Sequence, residues 1–421
     1  MSRLRHHPLL APMDPVRVYL IFTVASALFQ SLAWTVAMVY FIQVAGLDAL
    51  QMVLVGTALE VSIFLLEVPT GVVADLYSRR VSVIAGSALI GLGFILTGFL
   101  PLFVPILIAQ LIWGAGWTLT SGALQAWISD EVGEERAGQA FLQGARAAAL
   151  AGLVATAVSV VIAGRVLSGP IVIGGALYFL LALFLLAFMP EQGWRPITRE
   201  AHSAWGHMRD TLRDAYRVAR RRPALRGILA VGLFFGLYSE GFDRLWTAHL
   251  LERFTFPDLA GLPQIYWFGL ISIVTSLLTA GALAWVERRR LRLPHQLAAA
   301  QGLLSAGLLA SLVLFALADN FWLALLFYWL IGTAREVISP LYTAWVNHGL
   351  EPGVRATVHS AAGQVDAIGQ IAGGPLVGVI ARSAGLQAGL LMSAGLLAPV
   401  LALLAWQVFR REPVKPEPAA D

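Results

Sequence analysis

Glu67-Val-Pro-Thr-Gly71-Val-Val-Ala-Asp75-Leu-Tyr-Ser-Arg79-Arg80 ends one apolar run and opens the next. A glycine lets two helices approach closely, an aspartate at a helix end can meet a neighbouring N-terminus, and paired arginines anchor a loop on the basic side of a bilayer. The apolar run before it, from about residue 50, is long enough to cross a hydrocarbon core about 30 Å thick. This stretch therefore reads as the turn between two membrane spans.

The chain on either side has the same character. Its 421 residues are 58% hydrophobic and 13% charged, with a mean hydropathy of +0.74. That is more apolar surface than an aqueous fold of this size can hide, so the solvent is lipid. Apolar segments near 18–44, 50–75, 81–101, 104–128, 139–162, 168–189, 226–250, 264–286, 295–317, 321–346, 357–381 and 386–409 give an all-α protein with twelve transmembrane helices. The first run is too long for the core of a cleavable signal and reads as the first span.

An even number of spans returns both ends to one face. Arg3, Arg5, Arg79, Arg80, Arg136, the series from Arg195 to Arg222, Arg288, Arg289, Arg290, Arg292, Arg355, Arg410 and Arg411 fall on that face, against Arg165, Arg253 and Arg382 opposite. The positive-inside rule then places both termini in the cytoplasm of a cell-membrane protein. The break from Pro190 to Pro223 divides the spans six and six. The expected units are 1–189, a basic linker over 190–225, a second bundle over 226–409 and a disordered tail over 410–421. In the linker, Trp205, Met208, Leu212, Tyr216 and Ala219 recur at helical spacing amid arginines, which predicts a surface-lying amphipathic helix; a solvated charged loop is the alternative. Gly114 to Ile128 aligns without gaps on Gly332 to Val346, as Ala126-Trp127-Ile128 does on Ala344-Trp345-Val346, so the halves read as duplicated units.

Several chemistries are excluded. Lys415 is the single lysine, which removes a phosphate-cradling Walker A loop and a membrane-buried Schiff base. There are no cysteines for thiolate metal sites or disulfides. His249 and the loop histidines make no nucleophile–base or metal-spaced set, so neither an enzyme nor a metal or other cofactor is expected. The arginines between spans are an orientation signal, not a nucleic-acid surface.

Twelve spans, a six-plus-six repeat, a long basic central loop and the Gly71 to Arg80 motif together resemble the major facilitator superfamily over nearly the whole chain. The resemblance implies two pseudo-symmetric six-helix bundles rocking about a midplane site, in a monomer. It places Gly71, Asp75, Arg79 and Arg80 on the family's defining loop and makes Asp130 the partner of the loop arginine. These residues and the start of the eleventh helix would form a charge latch that closes the cytoplasmic side in the outward-open state. Leu76 and Ser78 depart from the motif, and the related loop after the eighth span has Gly281 but Trp285 where an acid would repeat. Two marks of the family's drug antiporters are not matched. Gln110 stands where a helix-four arginine would be, and Ala147 to Gly164 lacks the helix-five proline. Gly369-x-x-x-Gly373-Gly374-Pro375-x-x-Gly378 occurs instead in the eleventh span, and reads as close helix packing with a kink.

An ionisable side chain at mid-bilayer costs at least about 2.5–3.5 kcal/mol by insertion scales, so each one calls for a role. Glu60 and Glu67 share a face of the second span; Glu67 could equally support the loop that follows. Tyr238-Ser-Glu240-Gly-Phe-Asp243-Arg244 is the densest polar cluster in any span, with Arg244 four residues from Glu240. Two acids and one guanidinium leave one acid to exchange a proton, unless Arg244 is shared by both. Arg335 and Glu336 in the tenth span point about 100° apart and need separate partners, and Asp366 in the eleventh is a conceivable one for Arg335. Glu60, Glu67, Glu240, Asp243, Glu336 and Asp366 are therefore the proton-coupling candidates.

In the resembled family the first, fourth, seventh and tenth helices line the cavity. This makes Phe29, Gln30, Trp34, Gln110, Trp113, Trp117, Tyr238, Arg244, Arg335 and Tyr342 the substrate-cavity candidates. Large rings with a few acids suit amphipathic cationic or neutral solutes. The expected function is secondary transport of a small molecule, most simply its export in exchange for protons. Proton-coupled uptake of an organic anion held by Arg244, Arg335 or Arg146 is the rival. A non-transporting scaffold or sensor of the same fold is the rival from another class.

Overall fold

The computed structural model describes residues 11–194, 223–289, 294–347 and 352–409. The predicted amphipathic helix of the linker and the tail after 410 lie outside the described residues. Six helices form the first half: α1 (Pro15–Gln43), α2 (Ala49–Leu76), α3 (Arg79–Phe99), α4 (Phe103–Val132), α5 (Glu134–Ala163) and α6 (Gly169–Phe188). The second half contains α7 (Pro223–Arg253), α8 (Ile265–Arg289), α9 (Pro294–Leu317), α10 (Phe321–Asn347), α11 (Pro352–Ala384), α12 (Leu386–Leu397) and α13 (Pro399–Phe409). The described residues hold twelve segments long and apolar enough to cross a membrane.

The helix starts follow ordinary capping chemistry. The Asp14 carboxylate accepts from the Arg17 amide at 3.1 Å, and the Ser78 hydroxyl accepts from the Val81 amide at 3.0 Å. Asp48 and Gln51 form a reciprocal box at 2.9 and 3.0 Å. Between α4 and α5 the chain turns on Gly133, whose φ of 81° favours glycine. The last span, expected as one helix over 386–409, is divided into α12 and α13 at Ala398. The physical reason is Pro399, which lacks the amide proton that would continue the ladder and begins α13 where none is needed.

Within the first bundle α3 packs on α4 and α6, α1 on α5 and α6, and α2 on α4; within the second, α7 packs on α11 and α12, and α10 on α8 and α9. The repeat is visible in this packing. A side chain at Gly114 of α4 would meet Ser62 of α2 at 2.8 Å, and one at Gly332 of α10 would meet Thr275 of α8 at 2.9 Å, so equivalent glycines seat equivalent helix pairs.

Odd-numbered spans run from the face bearing the first and last helix ends, the terminal face, to the distal face. The bundles touch through α2 on α11 and α7 and through α5 on α8. Leu50 and Val53 of α2 lie against Gly378, and Val160 of α5 and Gly164 just beyond it lie against Gly269 and Tyr266. All of these positions are near the distal ends. At the other end a side chain on Gly71 would meet nothing within 4 Å. Among the described residues the close helix approach expected at Gly71 is not made, whereas the described contacts between the bundles lie towards the distal face.

Candidate functional site

Two cavities lie in the halves of the helices nearer the terminal face, one in each bundle. That of the second bundle, about 510 Å³, is walled by α7, α10 and α11, with Tyr238, Asp243, Arg335, Tyr342, His359 and Asp366 as its chemistry-bearing residues. That of the first, about 440 Å³, is walled by α1, α4, α5 and α6 and includes Thr23, Gln30, Trp117, Ser121, Gln125 and Tyr178. The two walls differ in kind: ionisable groups on one side, uncharged hydroxyls, amides and rings on the other.

Arg335 donates through both terminal nitrogens to the two carboxylate oxygens of Asp243, Nη2 to Oδ2 at 2.7 Å. Its guanidinium carbon also lies 5.8 Å from the Tyr238 ring centre and 5.9 Å from that of Phe242. The fork-to-fork pair consumes both charges. Asp366 feels Arg335 only through space; its Oδ2 accepts from the Gln370 amide at 2.8 Å, a neutral partner one helical turn away. In the same cavity the His359 imidazole and the Asn347 amide oxygen are 2.7 Å apart.

The other half of the α7 cluster lies between the bundles. Arg244 Nε donates to Glu240 at 2.8 Å, and Glu240 is 2% exposed. This pair fits only because Gly56 of α2 has no side chain: a Cβ there would collide with Glu240 Oε1 and Arg244 Nε. Gly374 of α11 faces the same pair, with its Cβ position 2.9 Å from Thr57 Oγ1 and 3.0 Å from Glu240 Cγ. Glu60, one turn beyond Gly56, is half-buried and interacts electrostatically with Glu240 and Arg244.

The expectation that one α7 acid stands unpaired, or that Arg244 serves both, is corrected by this geometry. Residues 240 and 244 share a face one turn apart, whereas Asp243 is turned towards α10, where Arg335 waits. Glu336, next in the chain, is exposed. The conceivable Asp366–Arg335 contact is replaced by the Asp243 pair.

The remaining cavity candidates separate into lining and support. Gln30, Trp117, Tyr238, Arg335 and Tyr342 line the cavities. Trp34 and Trp113 meet edge to face at 5.5 Å, and Phe29 meets Tyr178 the same way at 5.5 Å. Gln110 is buried at 2% exposure. Arg146 on α5 is exposed.

The loop motif forms a charge cluster within the first bundle. Arg79 bridges Asp130 and lies 3.5 Å from Asp75. Arg80 is buried and donates to the Leu186 carbonyl at 2.7 Å. Glu67 is exposed on the same helix as Asp75. The side chains at the start of α11, the expected far side of the latch, lie outside the described residues.

Sequence reasoning missed two acids here. Glu191 accepts from the Ser78 hydroxyl at 2.7 Å and the Arg80 amide at 2.9 Å, and Glu131 accepts from the Gln192 and Gly193 amides at 2.6 and 2.7 Å. Glu191 ties the end of the first bundle to its α2–α3 loop, and Glu131 ties the same segment to the end of α4. Their signal was position alone: acids at helix ends facing a basic loop. Gly56 was also missed, since a lone glycine in an apolar helix has no pattern to mark it.

A family model described as Major Facilitator Superfamily matches residues 18–373. The uncharacterized MFS-type transporter YxaM of Bacillus subtilis (strain 168) is 22% identical over 354 residues, covering 81% of this chain and 83% of that one. The solved nucleoside transporter NupG superposes with a TM-score of 0.76 at 16% identity, covering 95% of this chain and all of that one. The human organic anion transporter MFSD10 (TETRAN) does so with a TM-score of 0.61 at 20% identity, covering 93% and 100%. At these identities the solved structures speak for the fold.

Proposed function

This chain belongs to the Major Facilitator Superfamily as a multi-pass membrane transporter, and from that premise we propose that it exports amphipathic cationic or neutral compounds in exchange for protons. The observation that carries this reading is the charge arrangement of the second-bundle cavity. Arg335 is committed to Asp243, and Asp366 faces the cavity with a neutral partner. An entering cation finds a carboxylate with no guanidinium hydrogen-bonded to it, whereas an organic anion finds, among the described residues of the cavity, only a guanidinium already committed to Asp243.

Antiport then follows from competition. Asp366 can hold a proton or a cationic substrate but not both, so each crossing of the loaded carrier carries one or the other. The charged and titratable groups around it are Asp243, Arg335 and Tyr238 from α7 and α10, Tyr342 from α10, His359 on its own helix, and Glu60 of α2, which acts on it through space. With the termini on the cytoplasmic side, the terminal-face opening is an inward-open state of a cell-membrane carrier. The Arg79–Asp130–Asp75 cluster stays assembled on the first bundle, ready to take up the start of α11 when that side closes.

The test is binding of a permanently charged lipophilic cation to the purified protein across pH. One proton displacing one cation predicts affinity falling about tenfold per pH unit below the Asp366 midpoint, and a flat profile in Asp366→Asn. A flat profile in the unaltered protein, or saturable binding of an organic acid that is lost in Arg335→Gln, would replace this reading with anion symport.

A further inference from the structure

The first-bundle cavity is the one whose chemistry the charge argument leaves unused. Trp113 and Trp117, four residues apart on α4, stack nearly parallel, with ring centres 5.5 Å apart and planes 7° apart. Trp113 is held from behind, edge to face, by Trp34 at 5.5 Å and Phe94 at 6.1 Å. Trp117 is half-buried and lines the cavity, and among the described residues its only ring neighbour is Trp113. One end of a fixed stack is therefore presented to the cavity.

The same wall carries hydrogen-bonding groups and no formal charge. Thr23 Oγ1 is buried there without a partner, which is costly unless something supplies one. The Gln30 amide donates to the Tyr178 hydroxyl at 2.9 Å, which fixes its orientation and leaves its carbonyl oxygen as an acceptor.

We propose that this wall binds a planar, uncharged ring system that extends the Trp113–Trp117 stack and meets Thr23 and Gln30 with its polar edge. This inference rests on the exporter reading and deepens it. The substrate is two-ended: a flat heteroaromatic part on the first bundle and an amine towards Asp366 on the second. A face-on ring gains from the indole quadrupole what a bulky aliphatic group of equal volume cannot. Trp117 thus favours planar substrates, while Asp366 favours cations among them.

The test uses three probes at pH 8 with the full-length protein in nanodiscs: tryptamine, a planar uncharged ring carrying a protonated amine; dicyclohexylamine, cationic but not planar; and acridine, planar and neutral. Trp117→Leu is expected to weaken tryptamine and acridine about tenfold and dicyclohexylamine less than twofold, with Trp117→Phe restoring most of the loss. Equal weakening of all three, or of none, would overturn the stacking site. Asp366→Asn should weaken the two amines and spare acridine. If it affects none of them while Trp117→Leu still separates planar from aliphatic, the exporter reading fails and the stacking site stands.

Discussion

The Asp243–Arg335 pair illustrates what a single residue's surroundings decide. Both charges face a cavity, with side-chain exposures of 28% for Arg335 and 41% for Asp243, so water already screens part of their attraction. Removing one partner leaves a charge facing rings and its remaining neighbours, whereas removing both leaves no orphan. Arg335→Gln and Asp243→Asn should each lower thermal stability, by about 1–2 kcal/mol, and the double variant should lose less than their sum. A calorimetric or fluorescence melt of the three variants checks this; strict additivity would mean that the pair is not coupled. Gly56 supports a sharper expectation. Gly56→Leu would drive a side chain into the Glu240–Arg244 pair, with an overpacking cost of about 1–3 kcal/mol. Its melting temperature should fall further than that of Gly71→Leu, where the space is open.

Among the helices, α11 is the most informative, because its glycines serve two neighbours. Gly369 and Gly373 lie against the backbone of α7 at Leu233 and Leu237, and Gly374 and Gly378 face Thr57, Val53 and Leu50 of α2. One helix is thereby packed tightly on its own bundle and on the other. The sequence string made this legible as close packing, and hydropathy with loop charge made twelve spans and their ends legible, since each rests on local pattern. What stayed hidden was partnership between helices. Asp243 and Arg335 are 92 residues apart in the chain, and nothing local says that Asp243 turns from Arg244 towards α10. The tryptophans of α4 were visible as rings; that Trp113 supports and Trp117 presents depends on which face α1 and α3 cover. Glu191 makes the same point for the loop. Glu191→Ala would orphan the Ser78 hydroxyl and the Arg80 amide, and should loosen the α2–α3 turn, read as faster amide exchange over residues 77–82.

Among the described residues the two bundles meet towards their distal ends, which is the arrangement that the proposed inward-open state requires. The chain has no native cysteine, so a pair introduced at Val160 and Gly269 reports on the distal contact alone. Cross-linking should be efficient in the resting protein and should arrest transport, with activity returning on reduction. The account as a whole turns on whether substrate and proton exchange places. The direct measurement is internal pH in proteoliposomes of uniformly oriented protein, followed while a lipophilic cation is added with no preset gradient. The account predicts proton movement opposite to the cation, abolished in Asp366→Asn. Movement of protons with the substrate, or cation flux that leaves internal pH unchanged, would contradict it.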